Sequence, residues 1–161
     1  MNAVRRKPLR KITQEELKGI LRKHELWVVN DPNGEKADLS YADLRDANLF
    51  RANLICADLR GANLEGVNLN YADLRCANLT NVNLSDAELY EADLRDADVR
   101  CSNLFRTKLF EADLENANFL GSVLIETDLN LANVKNTNFK FTEIKRVIKQ
   151  TNPLLIGEFL L

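Results

Sequence analysis

Ala37-Asp38-Leu39-Ser40-Tyr41, Ala42-Asp43-Leu44-Arg45-Asp46, Ala47-Asn48-Leu49-Phe50-Arg51: this five-residue phrase runs from Ala37 to Lys145 without an insertion or deletion. Its centre is apolar at every step. The centres are Leu39, Leu44, Leu49, Leu54, Leu59, Leu64, Leu69, Leu74, Leu79, Leu84, Leu89 and Leu94, then Val99, Leu104, Leu109, Leu114, Phe119, Leu124, Leu129, Val134, Phe139 and Ile144. Two residues before each centre stands Ala, with Val, Ser or Thr as occasional replacements. The residue just before the centre is Asp or Asn except at Glu88, Lys108, Val123 and Glu143. A helix repeats its buried face every 3.6 residues and a strand every 2, so a period of five fits neither alone. Strict self-similarity of this kind marks a solenoid, in which each unit buries its apolar side only by stacking on its neighbours. The large centre and the small residue two before it point inward, as in a very short extended segment. The other three residues face out and turn the chain.

Repeated A(D/N)LXX phrases resemble the pentapeptide-repeat proteins, over about two thirds of the chain. What the resemblance implies is an all-β solenoid, a right-handed quadrilateral parallel β-helix with four phrases per 20-residue coil. The phrase itself leaves three or four sides open. Like residues 20 apart favour four: Cys56 and Cys76, Arg75 and Arg95, Ser102 and Ser122, Thr107 and Thr127, Phe119 and Phe139. On that basis residues 37–145 make about five and a half coils, roughly 26 Å long at the usual spacing of neighbouring strands.

A solenoid exposes apolar core and open sheet edges at both ends, so it needs covers. In the N-terminal segment, residues 1–36, Thr13-Gln14-Glu15-Glu16 reads as a capping box with Thr13 as N-cap and Glu16 at the third helical position. Ile12 and Leu17 fall where a hydrophobic staple places them. Leu17, Ile20, Leu21, His24, Trp27 and Val28 then follow helical spacing. The expectation is a helix from about Gln14 to Leu26 across the open end, followed by a turn at Asp31-Pro32-Asn33-Gly34. At the other end, residues 143–149 read as one or two helical turns. The apolar segment 153–161 reads as a cover for the last coil or an interface with a second copy.

The chain has 161 residues and a net charge of −2, distributed unevenly. Residues 1–36 carry +4 and the repeat carries −7. A mildly acidic rod with interspersed Arg argues against wrapping nucleic acid, which needs a basic stripe. No apolar run reaches the length of a membrane span, and the basic N-terminus has no apolar stretch behind it to make a secretory signal. Three cysteines do not form a disulfide framework. The expected compartment is the cytoplasm, with no membrane association.

Chemistry finds little foothold. His24 is the only histidine and falls on the apolar stripe of the helix, where packing is its expected role. The many Asp and Asn residues are explained by turns, where their side chains accept from nearby backbone N–H groups. Gly61 and Gly66 are isolated and form no phosphate loop. Cys56 and Cys76 stack ~4.8 Å apart in a four-sided coil, but reduced thiols are the expectation there. Two thiols also make a poor ligand set for zinc. No catalytic residue, metal, cofactor or small-molecule substrate is expected.

The informative departures are apolar residues at outward positions: Phe50, Tyr90 and Phe110 on one face, Phe105 and Ile125 on the next, and Leu120 and Leu131. Exposed apolar area of this kind marks interaction surfaces. The expected function is therefore a non-catalytic, protein-binding rod, with Tyr90, Phe105, Phe110, Leu120, Ile125 and Leu131 as the partner-binding set. A homodimer through the C-terminal region is one version of it. Resemblance supplies a second expectation, since some pentapeptide-repeat proteins mimic duplex DNA and bind type II topoisomerases such as gyrase. Proteins of this kind are numerous in photosynthetic bacteria. Arg45, Arg60, Arg75, Arg95 and Arg100 on the faces here do not suit a DNA mimic.

Overall fold

A computed structural model describes residues 8–148. The chain winds as a coil in which each rung residue pairs in parallel with the residue 20 further on: Asp38 with Asp58, Asn53 with Asp73, Asn118 with Asn138, Asp128 with Ile148. Four phrases therefore close one coil, which settles what the phrase left open. The ladder is made by alternating bonds between coils. Leu39 N–H donates to Asp58 O at 2.7 Å, and Asp58 N–H donates back to Ala37 O at 3.0 Å. The pairing continues past Lys145 to Ile148, the last of the described residues.

Each side of the coil ends in a tight turn. Ala42 N–H closes one such turn on Leu39 O, and Ala47, Ala52 and Ala57 repeat it on Leu44, Leu49 and Leu54. The third turn residue sits in the left-handed region, with φ of 54° at Tyr41, 58° at Cys56 and 57° at Glu126. Gly61, Gly66 and Gly121 occupy the same corner position. Between Tyr41 and Arg146 the one corner residue outside that region is Asp46, whose carbonyl accepts from the Gln14 side chain. The Asp and Asn before each centre hold the turns as their chemistry suggests. Asp38 Oδ1 accepts from Ser40 N–H at 2.9 Å, and the same two-residue bond recurs at Asn68, Asn78, Asp113 and Asn138, among others.

The centres from Leu39 to Val134 form the buried axis of the coil, with the small residues beside them. Phe119 is fully buried and stacks on Phe139, ring centroids 5.4 Å apart. Phe139 and Ile144, at the C-terminal end of the column, are only half-buried, because no coil among the described residues stacks beyond them.

Where Ser or Thr replaces the small Ala, its hydroxyl is not stranded in this dry interior. Thr107 Oγ1 donates to Leu84 O at 2.8 Å and Thr127 Oγ1 to Leu104 O at 2.7 Å. Ser122 Oγ does more: it donates to Val99 O at 2.6 Å and accepts from Ser102 N–H at 3.1 Å. Substituting Ser122→Ala strips the Ser102 amide of that acceptor and is expected to cost ~1–3 kcal/mol, while Thr107→Val, which keeps shape and leaves Leu84 O its bond from Ala87, is expected to cost ~0.5–1.5 kcal/mol. Urea unfolding of the two variants measures the difference directly.

The N-terminal elements lie on the first coil. Strand β1 (Arg10–Lys11) pairs in parallel with β2 (Ala42–Asp43), adding a rung that the repeat does not contain. Helix α1 (Gln14–Val28) starts at a complete capping box: Thr13 Oγ1 accepts from Glu16 N–H, and a Glu16 oxygen accepts from Thr13 N–H. Leu17 is buried in the core of the rod, and Ile12, Ile20 and Leu21 pack against it. The helix runs two residues past the expected Leu26. Its end is a Schellman motif, with Asn30 at φ 59° donating to Trp27 O and Asp31 N–H donating to Leu26 O. Asn33 N–H then donates to the Asp31 carboxylate and Gly34 N–H to Asp31 O, closing the turn expected there.

At the other end the expected helical turns are absent. Residues Glu143–Lys145 form strand β4, paired in register with β3 (Val123–Ile125). The cause is the repeat itself. Thr142, Ile144 and Val147 still occupy inward positions and the pairing 20 residues back is available, which outweighs a short run of helix-compatible side chains. The 153–161 segment lies outside the described residues.

Candidate interaction surfaces

Four phrases per coil give the rod four walls, and each outward residue has a fixed address. On the wall of Leu49, Leu69, Leu89, Leu109 and Leu129, the residues after the centres include Phe50, Tyr90 and Phe110. Phe50 and Tyr71 meet edge to face at 5.7 Å, with the Arg51 guanidinium 5.2 Å from one ring and 5.4 Å from the other. Tyr90 and Phe110 meet at 6.2 Å, with Lys108 Nζ 5.8 Å from the Tyr90 ring. Stacking on neighbours leaves Tyr90 and Phe110 half-buried, whereas Phe50 and Tyr71 are each 45% exposed.

The six residues expected to bind a partner do not form one patch. Tyr90 and Phe110 share a wall. Phe105 and Ile125 lie on the preceding wall, across a charged corner where Glu126 accepts from Arg106 at 2.9 Å and from Arg146 at 3.1 Å. Leu120 belongs to a third wall, and Leu131, 62% exposed, stands at the far corner. All but Leu131 are half-buried, because side chains in neighbouring coils shield one another. Tyr71 and Phe141 fall outside that set. Both occupy the left-handed corner position, which is exposed even though it directly follows a wall residue.

The charged residues are organised into pairs. Arg45, Arg60, Arg75, Arg95 and Arg100 each fold back on the Asp two residues earlier, at 2.5 to 2.8 Å. On one wall these pairs join into a ladder, since Arg75 also lies 3.6 Å from Asp93 and Arg95 3.6 Å from Asp113. Partial burial pushes the Asp93 carboxyl up, but bonds from Arg95 outweigh it and hold the group below its usual range. Glu88 is likewise held down by the Lys108 ammonium. Glu143 and Lys145 pair within β4.

His24 is fully buried between α1 and the first coil, with its ring stacked on Trp27 at 5.4 Å. Its Nδ1 accepts from Ala37 N–H at 3.1 Å, so the neutral ring carries its proton on Nε2, which makes no hydrogen bond. Desolvation lowers the pKa, Lys36 adds to this, and the Ile55 backbone and Glu25 oppose it without reversing it. A depressed imidazole pKa means that the unfolded chain takes up the proton first. The contribution of His24 is thus complete above ~6.5 and is lost as pH falls through the folded value. The wild-type melting temperature is expected to fall between pH 7.5 and pH 5, above the range where carboxylates titrate, and His24→Gln is expected to flatten that slope.

An open groove of about 420 Å³ runs between α1 and the first coil, lined by Arg10, Glu16, Lys23, Glu35, Lys36 and Asp38 among others. Its charges are mixed, and Lys23 and Glu35 already pair at 2.8 Å. Among the described residues no helix is long and apolar enough to cross a membrane.

The family model described as pentapeptide repeats (8 copies) matches three segments, residues 35–66, 62–100 and 102–140. Comparison with curated protein sequences finds no match. Among solved structures the chain is similar to Rfr23, a pentapeptide repeat protein from the cyanobacterium Cyanothece 51142. The two are 32% identical over 62% of this chain and 65% of that one, with a TM-score of 0.45. A pentapeptide repeat protein from the Arabidopsis thaliana thylakoid lumen is 26% identical over 75% of this chain and 70% of that one, with a TM-score of 0.42. QnrB1, described as a plasmid-mediated fluoroquinolone resistance protein, is 19% identical over 77% of this chain and 66% of that one, with a TM-score of 0.32. The chain thus spans 65% of the length of Rfr23. The superpositions are loose and add nothing to the match with the repeat model. With that match over most of the chain and rungs spaced by 20 residues, the chain belongs to the pentapeptide repeat family, whose fold is the right-handed quadrilateral β-helix.

Proposed function

We propose that this protein is a non-catalytic docking rod of about five and a half coils, closed at its N-terminal end by β1 and α1, that presents its aromatic wall to a protein partner. The observation that carries this reading is the run of rings along one wall and its corner, Phe50, Tyr71, Tyr90 and Phe110, each beside a cation or another ring. Aromatic side chains with Arg nearby are the composition of interface hot spots. A wall held by a hydrogen-bonded ladder also loses little freedom on binding. We place the protein in the cytoplasm.

Affinity capture from the native host tests the proposal. Tyr90→Ser with Phe110→Ser is expected to abolish capture while leaving circular dichroism and melting near wild type. Capture unchanged by the double variant would overturn the aromatic wall as the site, and loss of fold would make those rings structural. Phe105→Ser, on the other side of the Arg106 corner, separates the two walls in the same experiment.

A homodimer through the C-terminal region draws support from Phe141, 90% exposed, with Ile148 at 55% and Leu131 at 62% near the same end. Size-exclusion chromatography with light scattering decides it, since a strict monomer at high concentration removes this version. Gyrase mimicry draws less support, because a phosphate-like array needs free acids and five of the wall Asp residues here are held by Arg two positions later. Full gyrase supercoiling activity at micromolar protein would dismiss it.

A further inference from the structure

We infer that Cys56 and Cys76 form a two-thiol site for a single soft, two-coordinate cation of the Cu(I) type. The two residues are 20 apart and occupy the same corner on adjacent coils, with φ of 58° and 56°. Their amides are pinned alike, Cys56 N–H to Arg75 O at 2.7 Å and Cys76 N–H to Arg95 O at 3.0 Å. Equal backbone conformations on adjacent rungs make the two Cα–Cβ bonds parallel, ~4.8 Å apart. Cys76 is exposed and Cys56 half-exposed, so an ion can reach both sulfurs.

That geometry discriminates between the two reactions open to a thiol pair. A disulfide wants Cβ atoms about 3.5–4.5 Å apart and converging, so parallel side chains on a rigid ladder oppose it. Taking the zinc–thiolate length of ~2.3 Å as a guide, two such bonds in line span ~4.6 Å, close to the rung spacing of ~4.8 Å. Soft thiolates select Cu(I), zinc and iron–sulfur clusters, and of these Cu(I) is the one satisfied by two sulfurs.

Among the described residues no group of three or more His, Cys, Asp or Glu converges. The site therefore offers two sulfur ligands, too few for the four that structural zinc takes. The Cys76 thiol is pushed up by burial and by Cys56 beside it. A bound cation removes that mutual repulsion. One Cu(I) replaces two thiol protons, leaving an anionic bis-thiolate and two protons in solution, with no change of oxidation state. Asp96, at the same corner on the next coil, opposes the negative charge, and Arg75, next to Cys76 in the chain, favours it to a smaller extent. Cys101 has the same corner conformation, but Gly121 faces it on the next coil and Asn81 on the previous one, so it has no second sulfur.

Anaerobic titration of the reduced full chain with Cu(I), in competition with bicinchoninate, tests the site. The expected result is one Cu(I) retained per chain in wild type and in Cys101→Ser, and none in Cys56→Ser or Cys76→Ser. X-ray absorption is expected to give two sulfur neighbours, and Zn(II) is expected not to be retained against a zinc-binding indicator such as 4-(2-pyridylazo)resorcinol. No retention by wild type, retention that survives either single variant, loss in Cys101→Ser, or a third sulfur neighbour would each overturn the proposal. So would quantitative formation of a Cys56–Cys76 disulfide with glutathione disulfide in a protein that takes up no Cu(I). Melting curves of the Ser variants, expected to match wild type, keep loss of binding distinct from loss of fold.

Discussion

Replacing Leu79 with Ala is expected to cost about 2–5 kcal/mol, and Leu79→Asp is expected to abolish the cooperative unfolding transition. Leu79 is fully buried in mid-column, between Leu59 and Val99 on the coils to either side. Its amide and carbonyl hold the ladder and the next turn, so the wall cannot collapse inward to refill the space. The hydroxyl of Ser102 donates to Leu79 O, which fixes that segment further. In a quasi-one-dimensional fold each coil touches only its neighbours, so a void at Leu79 weakens the coupling between the two halves. Urea unfolding gives the cost, and amide exchange is expected to show protection falling on both sides of the coil. Leu131→Ala, at an exposed corner, is the matched control and is expected to change stability little. Equal effects at the two sites would contradict the central column as the source of stability.

Gly34→Ala is expected to undock α1 from the first coil. A Cβ at residue 34 would stand 2.2 Å from Trp27 N and 2.5 Å from Leu26 C. Both are backbone atoms in the last turn of the helix, so no side-chain rotation relieves the clash. The neighbouring bonds, Gly34 N–H to Asp31 O and Glu35 N–H to Lys23 O, hold the connecting segment against the helix. Overpacking typically costs about 1–3 kcal/mol where neighbours can shift, and a purely backbone contact gives less room to do so. Trp27 fluorescence reports the change. The expected outcome is a solvent-exposed Trp27 and faster proteolysis of the helix, with the coils beyond Leu59 still protected. Gly19→Ala, where nothing lies within reach of a new Cβ, is the control.

The repeat was legible because each phrase states its own burial. Large, small and turn-forming residues recur at one spacing, and Leu39 through Val134 lie on the axis as that spacing implies. The capping box at Thr13 and Glu16 was legible for the same reason, being written within four consecutive residues. Contacts between coils were harder to read. The hydroxyl bonds from Thr107 to Leu84 and from Ser122 to Val99 join residues 23 apart, and a Ser in an Ala position looks like mere tolerance until the coil is closed. The β1 rung is not legible, because two exposed residues, Arg10 and Lys11, carry no period of their own. The end of α1 falls two residues beyond the expected Leu26 because Asn30, rather than Gly, takes the left-handed position. Outward apolar residues sort by face from the sequence, but that does not show that Tyr90 and Phe110 shield each other or that the corner residue Tyr71 completes the pair with Phe50.

The strict offset of 20 between paired residues also constrains how such a gene can change length. Duplicating one complete circuit lengthens the molecule and leaves every downstream side chain pointing the same way. Adding a single phrase preserves the interior equally well, yet swings everything after it through ninety degrees and moves Tyr90 and Phe110 out of line with Phe50. Growth by whole circuits is therefore silent for recognition. Growth by fractions of a circuit rewrites the surface at almost no cost to folding, which gives this architecture a way to change partners without altering a single contact residue.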